Sequence, residues 1–332
     1  MFYVNPGYAE LLGADSQYFT TVKDNTYSNN GVSFVKTINT EVVRTYGLES
    51  GKDYYVKICW YQKPSYSATF QIKISSLTYR TSTSNSSSAE IYLQIGSTVS
   101  FRASRKQSDS SSYSIINAPW SDEPLSNFSN PVSQTNSLWF AFQPSVSRVR
   151  LYINSLKGAI QFRTSGEYPV WQLPLVFKME ISFSSTKTGV GGAGTPYFSN
   201  FIVSDQYIPP EAEIAIVPPS DIDTDMASLE GGKYRIDGND QQLLMTPNMT
   251  DLLDTYSKSS QVYAIAPAGC PSEQSGSGEL TLTGISQLGD TTTDHNSISA
   301  ASIGEGFTIP WQAAEDMTLN DLNKEQYGFK TS

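Results

Sequence analysis

Cysteine, histidine and charge are all scarce in this chain. Across 332 residues there are two cysteines, Cys59 and Cys270, one histidine, His295, and only 16% charged residues. The two cysteines fall in what read as different domains, so a structural disulfide is not expected and both are taken as buried free thiols. A single histidine excludes metal sites built from two His or from His with paired Cys. A Ser-His-Asp triad would have to use His295, which sits in the polar stretch Thr293-Asp294-His295-Asn296-Ser297. No Gly-x-Ser-x-Gly elbow accompanies it, and it reads as an exposed turn residue. No run of about 18 apolar residues is present, so no helix is expected to cross a bilayer. The start, Met1-Phe2-Tyr3-Val4-Asn5-Pro6-Gly7, lacks the basic and apolar parts of a secretory signal. The expectation is a chain kept in the cytoplasm or released by a route other than a signal peptide.

Aromatic residues reach 12%, and 48 residues are serine. That mix places hydroxyls where a helical protein would carry Lys and Glu, and Ser, Thr, Asn and Tyr compete poorly for helix interiors. Charge is unevenly spread. Residues 1–204 hold 17 Lys and Arg against 12 Asp and Glu, whereas residues 205–332 hold 5 against 20. The break near Asp205 marks a domain boundary and makes the acidic C-terminal part an unsuitable partner for nucleic acid. The expected organisation is a β-domain over 1–205, a Pro- and Asp-rich linker over 206–230 and a small acidic β-rich domain over 231–332.

The clearest local pattern is SRVRLYINSLKGAIQF at 147–162. Val149, Leu151 and Ile153 alternate with Arg148, Arg150 and Tyr152, the period of a half-buried strand, and a second alternating run follows Asn154-Ser155-Leu156-Lys157-Gly158. Two strands bury too little apolar surface to stand alone, so this hairpin must lie in a larger sheet. Strands are also expected near 18–22, 32–38, 53–62, 68–75, 90–95, 99–103, 137–143, 174–184 and 196–204. The pair 53–62 and 68–75, joined by a short Pro turn, reads as an antiparallel meander. Thr81 to Ser88 reads as a mobile serine loop, and 3–12 as an irregular lead-in. In the C-terminal part, strands are expected at 213–219, 233–237, 261–267, 278–283 and 307–311, with a short helix within 247–256. Many antiparallel strands between polar turns, with almost no helical period, give an all-β antiparallel sandwich or barrel.

RVRLYINSLKGAIQF, followed about 35 residues later by YFSNFIVSD, resembles the final third of a concanavalin A-like or laminin-G-like jelly roll. The resemblance spans residues 15–205 but is carried by those two segments. Ser155 stands where the family has Gly after Asn, with Gly158 further on, which implies a longer turn. The end of the chain, TLNDLNKEQYGFK at 318–330, is similar to closing segments of tailed-bacteriophage structural proteins. The order of a lectin-like jelly roll and a small domain with that ending implies a virion protein of the tail, fibre or head-decoration type. Such a protein would be non-enzymatic and without cofactor, assembled in the host cytoplasm and located in the virion. Its expected partners are other virion proteins, further copies of itself and a cell-surface glycan, with no nucleic acid and no membrane insertion.

Several constellations bear on that expectation. Trp120, in a loop beside Asp122 and Asn127, is the candidate for stacking on a sugar, because a flat ring meets the apolar face of a pyranose while polar neighbours bind hydroxyls. Trp60 and Trp139 lie mid-strand and read as core. Asp221, Asp223 and Asp225 have the D-x-D-x-D start of a calcium loop, yet Met226 and Gly232 stand where an EF-hand needs Gly and Glu. A solvated acidic linker is the competing explanation. Glu180 is the candidate acid for a glycosidase, the weaker alternative, but Lys178-Met179-Glu180-Ile181-Ser182 lacks the paired-acid pattern. Arg148, Arg150 and Lys157 could hold an anion or simply protect a strand.

Overall fold

The structure, a computed structural model, describes residues 3–23, 31–37, 41–61, 66–95, 99–106, 113–115, 135–154, 156–161, 170–187, 197–270, 280–299 and 306–332. The chain divides into two compact units, Gln17–Glu211 and Ala212–Ser332, the second including Met1–Ser16. The boundaries differ from those expected by composition, because the acidic run 206–230 is divided between the two. Among the described residues no helix is long and apolar enough to cross a membrane.

In chain order the strands begin with β1 (Tyr3–Asn5), followed by a 3-10 stretch at Ala9–Tyr18. Then come β2 (Phe19–Lys23), β3 (Val32–Lys36), β4 (Val42–Glu49), β5 (Tyr54–Tyr61), β6 (Tyr66–Arg80), β7 (Ser86–Ile95) and β8 (Val99–Lys106). They continue with β9 (Tyr113–Ile115), β10 (Thr135–Gln143), β11 (Arg148–Ile153), β12 (Leu156–Gln161), β13 (Val170–Gln172), β14 (Val176–Lys187) and β15 (Tyr197–Ser204). The first sheet of the larger unit runs β12-β11-β10-β5-β15-β3-β2, and the second runs β4-β14-β6-β7-β8-β9, with β13 also paired to β6. All ladders are antiparallel. The chain passes repeatedly from one sheet to the other, which is the connectivity of a jelly-roll sandwich, so the all-β antiparallel class read from the sequence holds.

Phenylalanine joins the two sheets. Phe183 of β14 lies 5.1 Å and 5.3 Å from Phe198 and Phe201 of β15 and 6.5 Å from Phe34 of β3, ring centre to ring centre, mostly edge to face. Further along, Phe142 of β10 meets Phe177 of β14 at 5.4 Å, and Phe101 of β8 meets Phe140 of β10 at 6.4 Å. Edge-to-face pairs add a directional term to the large apolar area each ring removes from water. Inward positions recur at period two: Val149, Leu151 and Ile153 on β11, and Phe177, Met179, Ile181 and Phe183 on β14, all nearly inaccessible.

Four local expectations are corrected. The hairpin turn is shorter than read: Ile153 pairs with Leu156, so Leu156, Lys157 and Gly158 belong to β12. Asn154 takes a positive φ of 54°, which suits a tight two-residue turn, and its side chain accepts from Ser137 N at 2.9 Å. Strands β5 and β6 do not pair as a meander; β5 lies between β10 and β15 in one sheet, and β6 between β14 and β7 in the other. The serine-rich run at 81–88 is a short bend followed by the start of β7, where Ser86, Ser87 and Ser88 pair with Arg80, Tyr79 and Thr78. An exposed strand face needs no apolar side chain, so the ladder outweighs composition. Finally, β4 escaped notice because VVRTYGLE alternates imperfectly.

The smaller unit carries β16 (Pro219–Thr224), β17 (Ala227–Leu229), β18 (Lys233–Arg235), β19 (Gln242–Pro247), α1 (Thr250–Thr255), β20 (Ala264–Ile265) and β21 (Ala268–Gly269). It is completed by β22 (Thr281–Leu288), β23 (Thr291–Ser299), β24 (Phe307–Thr308), β25 (Trp311–Gln312), α2 (Leu319–Leu322) and β26 (Gln326–Thr331). A sheet ordered β16-β19-β26-β22-β23 is its frame. The expected strand at 213–219 is absent; pairing begins only at Pro219, the second of two consecutive prolines, neither of which can donate to a ladder. Gly328 sits against the Leu243 carbonyl with no room for a Cβ.

Truncating the hub of the sandwich tests this account. Phe183→Ala is expected to lower the unfolding free energy of the larger unit by about 3–5 kcal/mol, the range for a buried phenylalanine, measured by urea denaturation. A loss under about 1 kcal/mol would mean the ring is not shared between the sheets.

Candidate functional site

The outer faces of the two sheets differ. On the first sheet, Trp139 shares the outward side of β10 with Ala141, which pairs with Arg150, while Trp139 itself pairs with Tyr152 and Lys57. A half-buried outward face would leave the tryptophan partly wet. Instead it is 2% exposed. The return segment after β15 lies over it: Trp139 Nε1 donates to the Ile208 carbonyl at 2.6 Å, and Lys57 Nζ donates to the Pro210 carbonyl at 2.8 Å. Tyr152 stacks on Trp139 at 5.0 Å and Arg150 lies over the same indole at 5.2 Å. Arg150 Nε also donates to Gln143 Oε1 at 2.8 Å, and Lys157 lies 5.4 Å from the Tyr152 ring centre. Arg150 is thereby engaged inside a pile of rings, so Arg148, Arg150 and Lys157 do not form an open anion cradle. Trp139 is buried as expected, but outside the sandwich core. Trp60, on the inward side of β5, is core.

On the second sheet the outward side of the central strands is half-buried among the described residues. Its register sets one transverse row across five strands: Thr45 opposite Glu180, Glu180 opposite Lys73, Lys73 opposite Tyr92, and Tyr92 opposite Arg102. In an antiparallel sheet directly opposite residues project to the same side, so this row is a contiguous surface strip. The rows beside it contribute Gln71, Gln94 and Ser182, and Glu90 with Ser104. Lys73 Nζ is 2.8 Å from a Glu180 carboxylate oxygen, both side chains 32% exposed. The Arg102 guanidinium lies over the Tyr92 ring at 4.7 Å. Tyr92 donates its hydroxyl proton to Gln94 Oε1 at 2.6 Å, and burial raises its pKa despite the lowering influence of Arg102. Ser104 Oγ donates to Glu90 at 3.4 Å. The strip thus presents one half-buried aromatic ring among amide, hydroxyl, ammonium and guanidinium groups.

Glu180 therefore sits on the exposed face of a sheet, as expected for a sheet-borne acid, but its ladder partners are Thr45 and Lys73. The nearest acid across the strands on this face, Glu90, is two strands and one row away, about 12 Å between Cα atoms on standard strand spacing. Among the described residues nothing next to Glu180 supplies the second carboxylate that glycoside cleavage uses.

Trp120, Asp122 and Asn127 lie outside the described residues. Asp221 and Asp223 are exposed on the edge strand β16, opposite Thr246 and Leu244, and Asp225 accepts the Gln242 backbone N–H at 2.7 Å. An extended strand holds alternate carboxylates about 7 Å apart rather than curling them round one cation. Among the described residues no group of three or more His, Cys, Asp or Glu is placed to hold a metal ion. Cys59 is buried, but Cys270 is exposed, which corrects the expectation of two buried thiols. The pKa of Cys270 is raised by partial burial and by Glu10.

His295 is not in a turn. It lies on β23, a strand whose run TTTDHNSIS has too few apolar residues to announce itself. The imidazole stacks on Trp311 at 4.3 Å with the planes 4° apart, and its Nε2 is 2.9 Å from Ser286 Oγ. The neighbouring Asp294 instead pairs with Lys330 at 2.6 Å. Ser286 and Trp311 are buried, so the Ser286–His295 contact is an internal fastening of the smaller unit rather than an accessible nucleophile and base.

No family model and no curated protein matches the chain. Among solved structures, it is similar to basic winged bean lectin in complex with Tn-antigen, with TM-score 0.31, 6% identity, and 60% of this chain and 96% of that one covered. It is also similar to the β-porphyranase BpGH16B from Bacteroides plebeius, with TM-score 0.29, 9% identity and coverages of 53% and 68%. Sheep galectin-11 gives TM-score 0.23, 12% identity and coverages of 46% and 97%. Likenesses of this size carry no functional argument, which rests on the geometry alone.

The half-buried imidazole generates a pH prediction. Burial lowers the His295 pKa below its ordinary value, so the unfolded state binds the proton more readily than the folded one. Stability of the smaller unit should therefore be fully present above the ordinary histidine pKa and fall as pH drops below it. His295→Gln should remove that component. A thermal midpoint with the same pH dependence in both proteins between about pH 7 and pH 5 would contradict the assignment.

Proposed function

We propose that the chain is a non-enzymatic binding protein that holds a saccharide against the outer face of its second sheet. The observation that carries this is the strip Glu180, Lys73, Tyr92, Arg102: a half-exposed ring ringed by donors and acceptors on a rigid sheet, with no second acid beside Glu180. A tyrosine face offers an apolar platform to the C–H side of a pyranose, and flanking Gln, Ser, Glu and Lys groups meet its hydroxyls. Strands fix such groups more firmly than loops do, which lowers the ordering cost of binding. No cofactor is needed for this role.

A second reading concerns where the binding is used. The order of a larger β-unit and an acidic β-unit ending in EQYGFK favours a structural component of a tailed-phage particle, with other virion proteins and further copies of itself as partners. The larger unit would belong to the concanavalin A-like jelly rolls, and the saccharide would lie on the host surface. Neither nucleic acid nor membrane insertion enters this account.

On a glycan array the full chain should show saturable binding, weakened about tenfold, or 1.4 kcal/mol, by Tyr92→Ala. Loss on Trp120→Ala with Tyr92→Ala unaffected would move the site to the neighbourhood of residue 120 and refute the sheet-face assignment. For the particle reading, light scattering on the protein released from virions should give a multimer. A monomer with no partner would contradict it.

A further inference from the structure

The saccharide reading leaves the ligand's charge open, and the strip itself addresses it. Of the cations on this face, Lys73 is neutralised by Glu180 at 2.8 Å. Arg102 is different. Its guanidinium rests on the Tyr92 ring at 4.7 Å, its Nε has no hydrogen-bond partner, and among the described residues no carboxylate forms an ion pair with it. A ring face attracts a cation but does not consume its N–H donors, so the guanidinium is positioned while its terminal donors keep their capacity for a planar anion.

Two further cations on β6 and β8 share that side. The pairing of Thr78 with Ser88, and of Ala89 with Arg105, puts Arg80 and Lys106 on the same outward parity as Tyr92 and Arg102. Arg80 Nε likewise has no hydrogen-bond partner, and Lys106 is exposed at the end of β8. Arg102 and Lys106 are four residues apart on one strand, about 13 Å at standard rise. Glu90 stands between their rows, with Ser104 donating to it. Among the described residues Arg102, Arg80 and Lys106 are thus three cations without carboxylate partners, with the acid Glu90 among them, arranged along β6, β7 and β8 rather than at a point, and Lys178 of β14 is a further exposed cation on the same side.

We infer that this face selects an acidic saccharide, one whose carboxylate or sulfate groups are bound by Arg102 with Arg80 and Lys106 while a sugar ring lies on Tyr92. The inference rests on the saccharide reading and adds the charge of the ligand to it. Spaced cations match a chain carrying repeated anionic groups better than a single small anion, and such recognition weakens with salt.

The test uses the full chain in calorimetric titrations with oligogalacturonate, its fully methyl-esterified form, dextran sulfate and neutral dextran. The expected result is binding of the acidic member of one pair or both, with the neutral counterpart about tenfold weaker or worse, the weight of one charge-assisted hydrogen bond. Oligogalacturonate and dextran sulfate separate carboxylate from sulfate as the source of charge. Arg102→Gln should bring the acidic ligand down to the neutral one, and Arg102→Lys should restore only part, because the planar fork is lost. A circular dichroism spectrum identical to that of the parent excludes misfolding as the cause. Equal binding of the acidic and neutral forms would overturn the charge selection while leaving the saccharide site standing. Binding of none of the four, together with an empty glycan array, would overturn both. Equal binding of a single-stranded oligodeoxynucleotide would overturn the inference by showing an unselective polyanion surface.

Discussion

Phe183 is the point on which the larger unit turns. One ring in β14 touches Phe34 of β3 and Phe198 and Phe201 of β15, so it fastens one sheet to the other. Two antiparallel sheets have no other means of staying face to face than the apolar side chains between them, since their hydrogen bonds run within each sheet. Once that layer is fixed, period-two alternation decides every outward residue. The strip Glu180, Lys73, Tyr92, Arg102 is the opposite side of the strands whose inward residues are Ile181, Ile72 and Ile74, Ile91 and Leu93, and Phe101 and Ala103.

The outward sides then part ways. The first sheet is covered at Trp139 and Lys57 by the segment that leaves β15, through the Ile208 and Pro210 carbonyls. Both donors are satisfied by backbone oxygens, so this face is closed by hydrogen bonds that a ligand would have to break. Among the described residues the central row of the second sheet is only half-buried, and its acid Glu180 is matched by a base rather than by another acid. That pairing is the ground on which binding, rather than bond cleavage, is proposed for this face.

Much of the fold was legible because alternation is a direct consequence of strand geometry. The run at 147–162 gave β11 with its inward set Val149, Leu151 and Ile153 and a second strand after it, and the run at 174–184 gave β14. What was hidden has physical causes. Sheet membership depends on long-range pairing, so the partners of β5 and β6 were misjudged although both strands were found. The strand β23 carries exposed Thr, Asp and Asn on both sides and left no apolar signature. Ser86 to Ser88 are strand because their backbone pairs, a fact their side chains do not advertise. Of the candidate site, only Glu180 was singled out from sequence. Tyr92 and Arg102 lie ten residues apart in the chain and meet only through the β7–β8 register, which the expected strands at 90–95 and 99–103 do not by themselves specify.

The central claim is that the outer face of the second sheet is where a ligand lies. Hydrogen-exchange mass spectrometry of the full chain with and without an acidic oligosaccharide tests it directly. The account predicts added protection confined to peptides covering Tyr66–Arg80, Ser86–Ile95, Val99–Lys106 and Val176–Lys187. Protection concentrated instead in Arg148–Ile153 and Leu156–Gln161, or in residues 116–134, would contradict it.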